Sequence, residues 1–236
     1  MTAPVALCTL KALAAVLALG LVAPAAADDD AMARRARACT GCHGDQGRAA
    51  ADGYYPRIAG KPAAYLHEQL LAFRDGRRRY ALMTQLLEPL TDAYLGELAQ
   101  YFAALDLPHP PPQPTAPGAA QAARARQLVN QGDAARQVPA CGACHGAALT
   151  GVLPAVPSLL GLPRDYLNAQ LGAWRSGTRA ARAPDCMADI TRRLAPEDIA
   201  ALSAWLAAQP VSGGPAPALP RPMPLRCGGE GARVQP

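Results

Sequence analysis

The feature that most restricts this chain is a pair of C-x-x-C-H motifs, Cys39-Thr-Gly-Cys42-His43 and Cys141-Gly-Ala-Cys144-His145, set 102 residues apart. Within each motif the sulfurs lie three positions apart, about one helical turn, and an imidazole follows on the next residue. Sulfurs so placed reach the vinyl groups on one edge of a haem, and the imidazole then falls beneath the iron as the proximal ligand. A lone C-x-x-C-H string also suits part of a zinc site or a thiol redox centre. The rest of the chain has to decide between them.

Aligning the chain with itself supplies that context. PRIAGKPAAYLHEQLLAFRDGRR from Pro56 matches PSLLGLPRDYLNAQLGAWRSGTR from Pro157 at an offset of 101. Met83 and Met187, with the segments LTDAYLGELAQYFAAL and LAPEDIAALSAWLAAQ that follow them, recur at an offset of 104. Small indels between matching blocks are what a duplicated domain accumulates in its loops. The two motifs therefore occupy equivalent points of a repeat, and no neighbouring Cys or His pairs complete a tetrahedral zinc set. The expectation is two covalently bound haem c groups, with thioethers to Cys39, Cys42, Cys141 and Cys144 and proximal ligation by His43 and His145.

A haem that only passes electrons closes its sixth position, commonly with Met. Met83 and Met187 each follow their own motif by about 40 residues and correspond under the repeat. They are the expected distal ligands. His67 is matched by Asn168 in the second copy, His109 lies among prolines, Met32 has no counterpart, and Met223 lies in the tail. Tyr65/Tyr166, Phe73/Trp174 and Arg74/Arg175 recur as pairs. Two roles fit them: edging the haems or the domain interface, with Arg on a propionate, or helix core for the aromatics and solvated surface for the arginines.

Inside each copy the periodic segments read as helices and nothing alternates as a strand. Pro62 and Pro163 fit a first helical turn, Leu66, Leu70 and Phe73 (or Leu167, Leu171 and Trp174) share a face, and Gly76 or Gly177 follows as C-terminal cap. Thr91 suits an N-cap, and Pro196 opens the counterpart helix. Aromatic residues are only 5% of the chain, with Phe at two positions, so two haems would supply the bulky apolar centre that the side chains do not. The fold class expected is all-α: two tandem cytochrome c domains, each wrapped around one haem. Their bounds are 28–106 and 120–209, with a semi-rigid proline linker at 107–119 and an irregular Pro/Gly-rich tail at 210–236.

Residues 1–27 read as a cleavable signal: Lys11 precedes ALAAVLALGLV, and Ala25-Ala26-Ala27 supplies small residues before Asp28. The mature protein, cleaved after about Ala27, is then exported to the periplasm. Loss of Lys11 takes the formal charge from +5 to +4. So mild a bias, without interleaved aromatics, argues against nucleic-acid binding. Of seven cysteines, Cys8 leaves with the signal, four belong to the motifs, and Cys186 and Cys227 remain. They form either a disulfide, which would pin the Met187 loop beneath the tail, or two free thiols.

On these residues, from ACTGCHG through YPRIAGKPAAYLHEQLLAFRDGRR to Met83 and its helix, then the same order from ACGACHG, the chain resembles the cytochrome c4 type of bacterial di-haem cytochromes. The resemblance implies two class I domains related by a pseudo-two-fold axis, propionates facing across the interface, His/Met ligation on both irons, and delivery of electrons from a redox protein donor to a terminal oxidase. Membrane association would be peripheral and through partners. The chain departs from the pattern at QGDAARQVP before Cys141, in its proline-rich linker, and in the tail with Cys227. Two other function classes remain open: a di-haem enzyme of the peroxidase or thiosulfate-oxidising type, for which Cys186 would be a thiolate ligand in place of Met187, and a cytochrome subunit of a larger complex.

Overall fold

The computed structural model describes residues 26–50, 53–114, 117–211 and 217–228. Most of the expected signal segment, residues 1–25, lies outside the described residues. The chain divides into two compact units. One ends at Arg35, and its described part is helix α1 (Ala26–Arg35). The other runs from Ala36 and contains both repeats.

In the first repeat, α2 (Arg37–His43) carries the C-x-x-C-H motif and α3 (Ala63–Arg74), α4 (Ala81–Leu87) and α5 (Asp92–Ala104) follow. In the second, α6 (Ala119–Asn130) precedes α7 (Cys141–His145), which carries the motif, and α8 (Arg164–Ser176), α9 (Cys186–Arg193) and α10 (Pro196–Ala207) follow. Among the described residues there is no strand, only isolated bridges, and no helix is long and apolar enough to cross a membrane.

The local signals act much as their chemistry demands. Thr91 accepts a hydrogen bond from the Tyr94 amide at the start of α5, satisfying one of the donors a helix leaves bare at its N-terminus. Pro62 and Pro163 stand one position earlier than expected, as N-caps in extended backbone, since a proline fixes φ without needing an amide partner. Gly177 ends α8 in the left-handed region.

Packing follows the apolar faces. In the first repeat α3 lies against α5 and α4, burying Leu66 and Leu71 with Leu87, Leu95, Leu98 and Phe102. In the second, α10 lies between α6 and α8, and Leu128, Val129, Leu167, Ile199, Leu202 and Leu206 form its core. Each of the larger side chains contributes about 2 kcal/mol by leaving water. The QGDAARQVP insertion folds into a turn closed by mutual backbone bonds between Asp133 and Val138. The proline linker is docked: Arg57, 4% exposed, donates to the Leu107 and Pro108 carbonyls, and the Gln113 amide donates to Ala207 at the end of α10.

Candidate functional site

Each motif histidine ends a short helix and is held in the same way. His43 Nδ1 donates to the Pro56 carbonyl at 2.7 Å and His145 Nδ1 donates to Pro157 at 2.9 Å. A carbonyl can only accept, so the proton sits on Nδ1 and the Nε2 lone pair is left for a metal. Both rings are 8% exposed, and burial pushes both below the ordinary histidine value, which keeps them neutral. Neutral imidazole is the ligand form.

The backbone turns sharply after each histidine. Gly44 and Gly146 both have φ in the left-handed region, and a Cβ on Gly44 would lie 2.1 Å from the Ala49 carbonyl oxygen. That turn lets the Ala49 amide reach the His43 carbonyl and the Gly151 amide reach His145. The loops that return Pro56 and Pro157 to the rings start from these bonds.

Burial pushes the Cys39 and Cys141 thiols up to about 11. A thiol redox centre needs the opposite shift. Among the described residues no group of three or more His, Cys, Asp or Glu side chains is arranged to hold a metal ion. The zinc and dithiol readings lose their support, and covalent use of the sulfurs remains.

The second repeat contains a cavity of about 240 Å³ lined by Cys141, Cys144, His145, Trp174, Met187 and Leu202, among others. It therefore brings both motif sulfurs, the proximal histidine and the expected distal methionine onto one apolar crevice. Met83 lies partly buried on α4, at the position that Met187 takes near the start of α9.

Further residues of the same cavity come from the first repeat: Lys61, Tyr65, Glu68, Gln69 and Arg77. Here the repeats meet through an antiparallel bridge between Arg78 and Arg179, with the Arg79 amide on Thr178 and the Ala180 amide on Arg77. The Arg78 guanidinium stacks on Phe73 at 4.4 Å and Arg179 on Trp174 at 3.6 Å. Arg78 donates to Tyr166 and Arg179 to Tyr65, and Gln69 and Gln170 each accept from both arginines. A second cross-brace is the Arg182–Glu68 ion pair at 2.8 Å.

Among the described residues neither Arg78 nor Arg179 has a carboxylate within 4.0 Å, although Arg179 is 4% exposed. A buried cation and a half-buried one with only neutral partners leave positive charge uncompensated. Burial pushes the Tyr65 phenol up, yet Arg179, Arg78 and Lys61 outweigh it and bring it down to about 8. The Trp174 indole N–H, buried beside Arg179, has no partner among the described residues. An apolar crevice ending in spare donors and positive charge suits a flat apolar ring that carries carboxylates at one edge. Haem fits the residues present.

The recurring Arg74 and Arg175, read from the sequence as propionate partners or solvated surface, do neither job. Arg74 pairs with Asp92 at 2.6 Å and caps the Leu90 carbonyl, while Arg175 donates to the Leu194 carbonyl. Arg74 ties α3 to the start of α5, and Arg175 ties α8 to the end of α9. The residues that do line the interface, Arg78 and Arg179, also match at the 101-residue offset, but nothing in their spacing distinguishes them from Arg74 and Arg175. His67 sits half-buried on α3 near the Asp92 carbonyl. Met223 lies in the tail, outside the cavity lining.

Cys186 and Cys227 are joined by a disulfide, with Cα atoms 5.5 Å apart. The sulfur next to Met187 is thus committed to carbon and sulfur bonds, which takes away the thiolate-ligand alternative.

Comparison with known proteins gives a consistent picture. The Cytochrome c family model matches residues 122–209. The chain is 38% identical to a thiosulfate dehydrogenase electron acceptor from Thiomonas intermedia, over 75% of this chain and 81% of that protein. It is 34% identical to a cytochrome c4 from Pseudomonas aeruginosa, over 80% and 94%. The solved structure of reduced cytochrome c4 from Pseudomonas stutzeri superposes with a TM-score of 0.65 at 29% identity, covering 77% of this chain and 98% of that one. That of thiosulfate dehydrogenase from Marichromatium purpuratum gives 0.67 at 33%, covering 78% of this chain and 40% of that longer one.

Proposed function

The chain belongs to the cytochrome c4 family, and on that footing we propose that it is a periplasmic electron carrier rather than an enzyme. It takes electrons one at a time from a dehydrogenase of the thiosulfate-oxidising kind and yields them to a terminal oxidase. Two haem c groups are covalently bound, and each supplies a one-electron iron couple. What the chain's own residues do is hold those groups. The motif sulfurs would attach them, with His43 and His145 as the proximal ligands and Met83 and Met187 as the distal ones.

The observation that carries this reading is the crevice that presents His145 and Met187 together. With His145 and Met187 both holding the iron, the site would keep no open position for a substrate, and an iron closed in this way changes oxidation state with little rearrangement. The dehydrogenase as donor is supported by the relatives from Thiomonas intermedia and Stutzerimonas stutzeri, both named as electron acceptors of thiosulfate dehydrogenase.

The ferric holoprotein should show the red charge-transfer band of Met-ligated haem at two per chain, and Met83→Ala or Met187→Ala should each remove half of it. Thiosulfate should reduce the protein only when a thiosulfate dehydrogenase is added. Reduction by thiosulfate alone, with turnover on an artificial acceptor, would establish an enzyme instead.

A further inference from the structure

The tail beyond α10 is not a loose end. Residues 217–228 run across the second repeat and are fastened at three places. Ala218 pairs with the loop after His145, its amide donating to Gly151 at 3.0 Å and its carbonyl accepting from Leu153 at 2.9 Å. Arg221 donates to the Gly142 and Ala143 carbonyls at 2.6 and 2.9 Å. Cys227 bonds to Cys186, and the Gly228 amide donates to Pro184 at 2.8 Å. At Gly228 the approach is so close that a Cβ would lie 2.3 Å from the Ala183 carbonyl oxygen, so only glycine fits.

The middle fastening matters most. Gly142 and Ala143 are the two residues between the sulfurs of the second C-x-x-C turn, so Arg221 sits over the backbone that covers the thioether edge of that site. The first repeat differs at the same place. Gly41 and Cys42 are exposed and a Cβ on Gly41 meets nothing within 4 Å, whereas Gly142, Ala143 and Cys144 are all partly covered. The opposite end of the second crevice faces the buried interface with the first repeat.

We infer that residues 217–228 form a strap that screens the second attachment turn from protein-sized partners, leaving the Thr40–Cys42 face of the first repeat as the port for electron exchange. One layer of chain adds about 5 Å to the closest approach of another protein, and electron transfer falls steeply with such a distance. The second site is then reached through the interface from the first. The Val129 carbonyl of α6 also covers Gly142, 3.4 Å from where a Cβ would stand; the strap adds a second layer that is present in one copy only, and three separate fastenings hold it, one of them covalent.

The inference rests on the electron-carrier reading, and its test separates the two. The full-length holoprotein is compared with a strapless chain ending at Val211 and carrying Cys186→Ser, and with Arg221→Ala in which the disulfide is intact. Amide exchange at Leu153 should accelerate at least about tenfold in the strapless chain and remain unchanged at residues 41–43; unchanged exchange at Leu153 overturns the strap whatever the redox behaviour. With reduced flavodoxin as the reductant, half of the absorbance change in the intact chain should depend on flavodoxin concentration and half should not. In the strapless chain both halves should become concentration-dependent, with the bimolecular rate rising about twofold because a second port is open. Arg221→Ala should move partway in the same direction. Two concentration-dependent halves in the intact chain, or no change in either variant, would overturn the inference. So would faster reduction of the strapless chain by dithionite, a small reductant that the strap should not impede. If either haem fails to reduce and reoxidise reversibly, the carrier reading itself fails.

Discussion

Arg78 and Arg179 face each other across the bridge that joins the two repeats, and each donates to the amide oxygens of both Gln69 and Gln170. Like charges are brought together here without a carboxylate among the described residues, which a folded protein tolerates when an anion completes the set. The propionates of bound haems would supply that anion.

Arg179→Gln should therefore lower the reduction potential of the second haem, because removing a nearby cation stabilises the more positive, oxidised iron. A shift of about 60 mV is expected, equivalent to about 1.4 kcal/mol for one electron. Potentiometry of the variant checks it, and an unmoved potential would show that no propionate lies beside Arg179.

Trp174 and Phe73 are counterparts under the repeat, and only Trp174 carries an N–H. That donor is buried beside Arg179 without a partner among the described residues. Trp174→Phe should change the potential of one haem and leave the other in place. Phe73→Leu should not produce the same redox effect. Equal shifts in both variants would mean that the aromatic rings act only by packing.

Asp198 joins three elements of the second repeat: it pairs with Arg124 of α6 at 2.7 Å and with Arg136 at 2.7 Å, and it accepts from the Ala195 amide at the start of α10. Its side chain is 7% exposed. Asp198→Asn should cost about 2 kcal/mol, since it weakens the charged hydrogen bonds to two arginines that Asp133 still partly compensates. The arginine hydrogen bonds hold the carboxyl below the usual carboxylate range. Its stabilisation is present above the unfolded value and is lost as pH falls through the folded one. Urea unfolding at successive pH values should show that acid-induced loss in the natural chain and not in the variant.

His109 lies in the proline linker against Gly161. Burial, reinforced by Arg57 and Lys61, pushes its imidazole from 6.5 down to about 4. Between those values the unfolded chain binds the proton and the folded one does not, so stability falls as pH drops through that window and is flat outside it for this group. His109→Gln should remove that part of the slope between about pH 6.5 and about pH 4. An identical slope in the variant would show that the linker leaves its contact with the second repeat before the histidine matters.

The sequence by itself determined the chemistry that is local. The C-x-x-C-H strings, the helix periodicity, the Thr91 cap and the all-α class are written in residues a few positions apart, and the repeat made the paired methionines visible because they recur at nearly the same distance from their motifs. Only the tertiary structure decided what depends on residues far apart in the chain. Arg74 and Arg78 are equally repeated and equally basic, and which of them meets the other domain follows from how the two repeats pack. The pairing of Cys186 with Cys227 was one of two readings until the chain folded the tail across α7. The strap over that helix has no counterpart in the first copy, and no local pattern could announce it, because Arg221 meets Gly142 across 79 residues of chain.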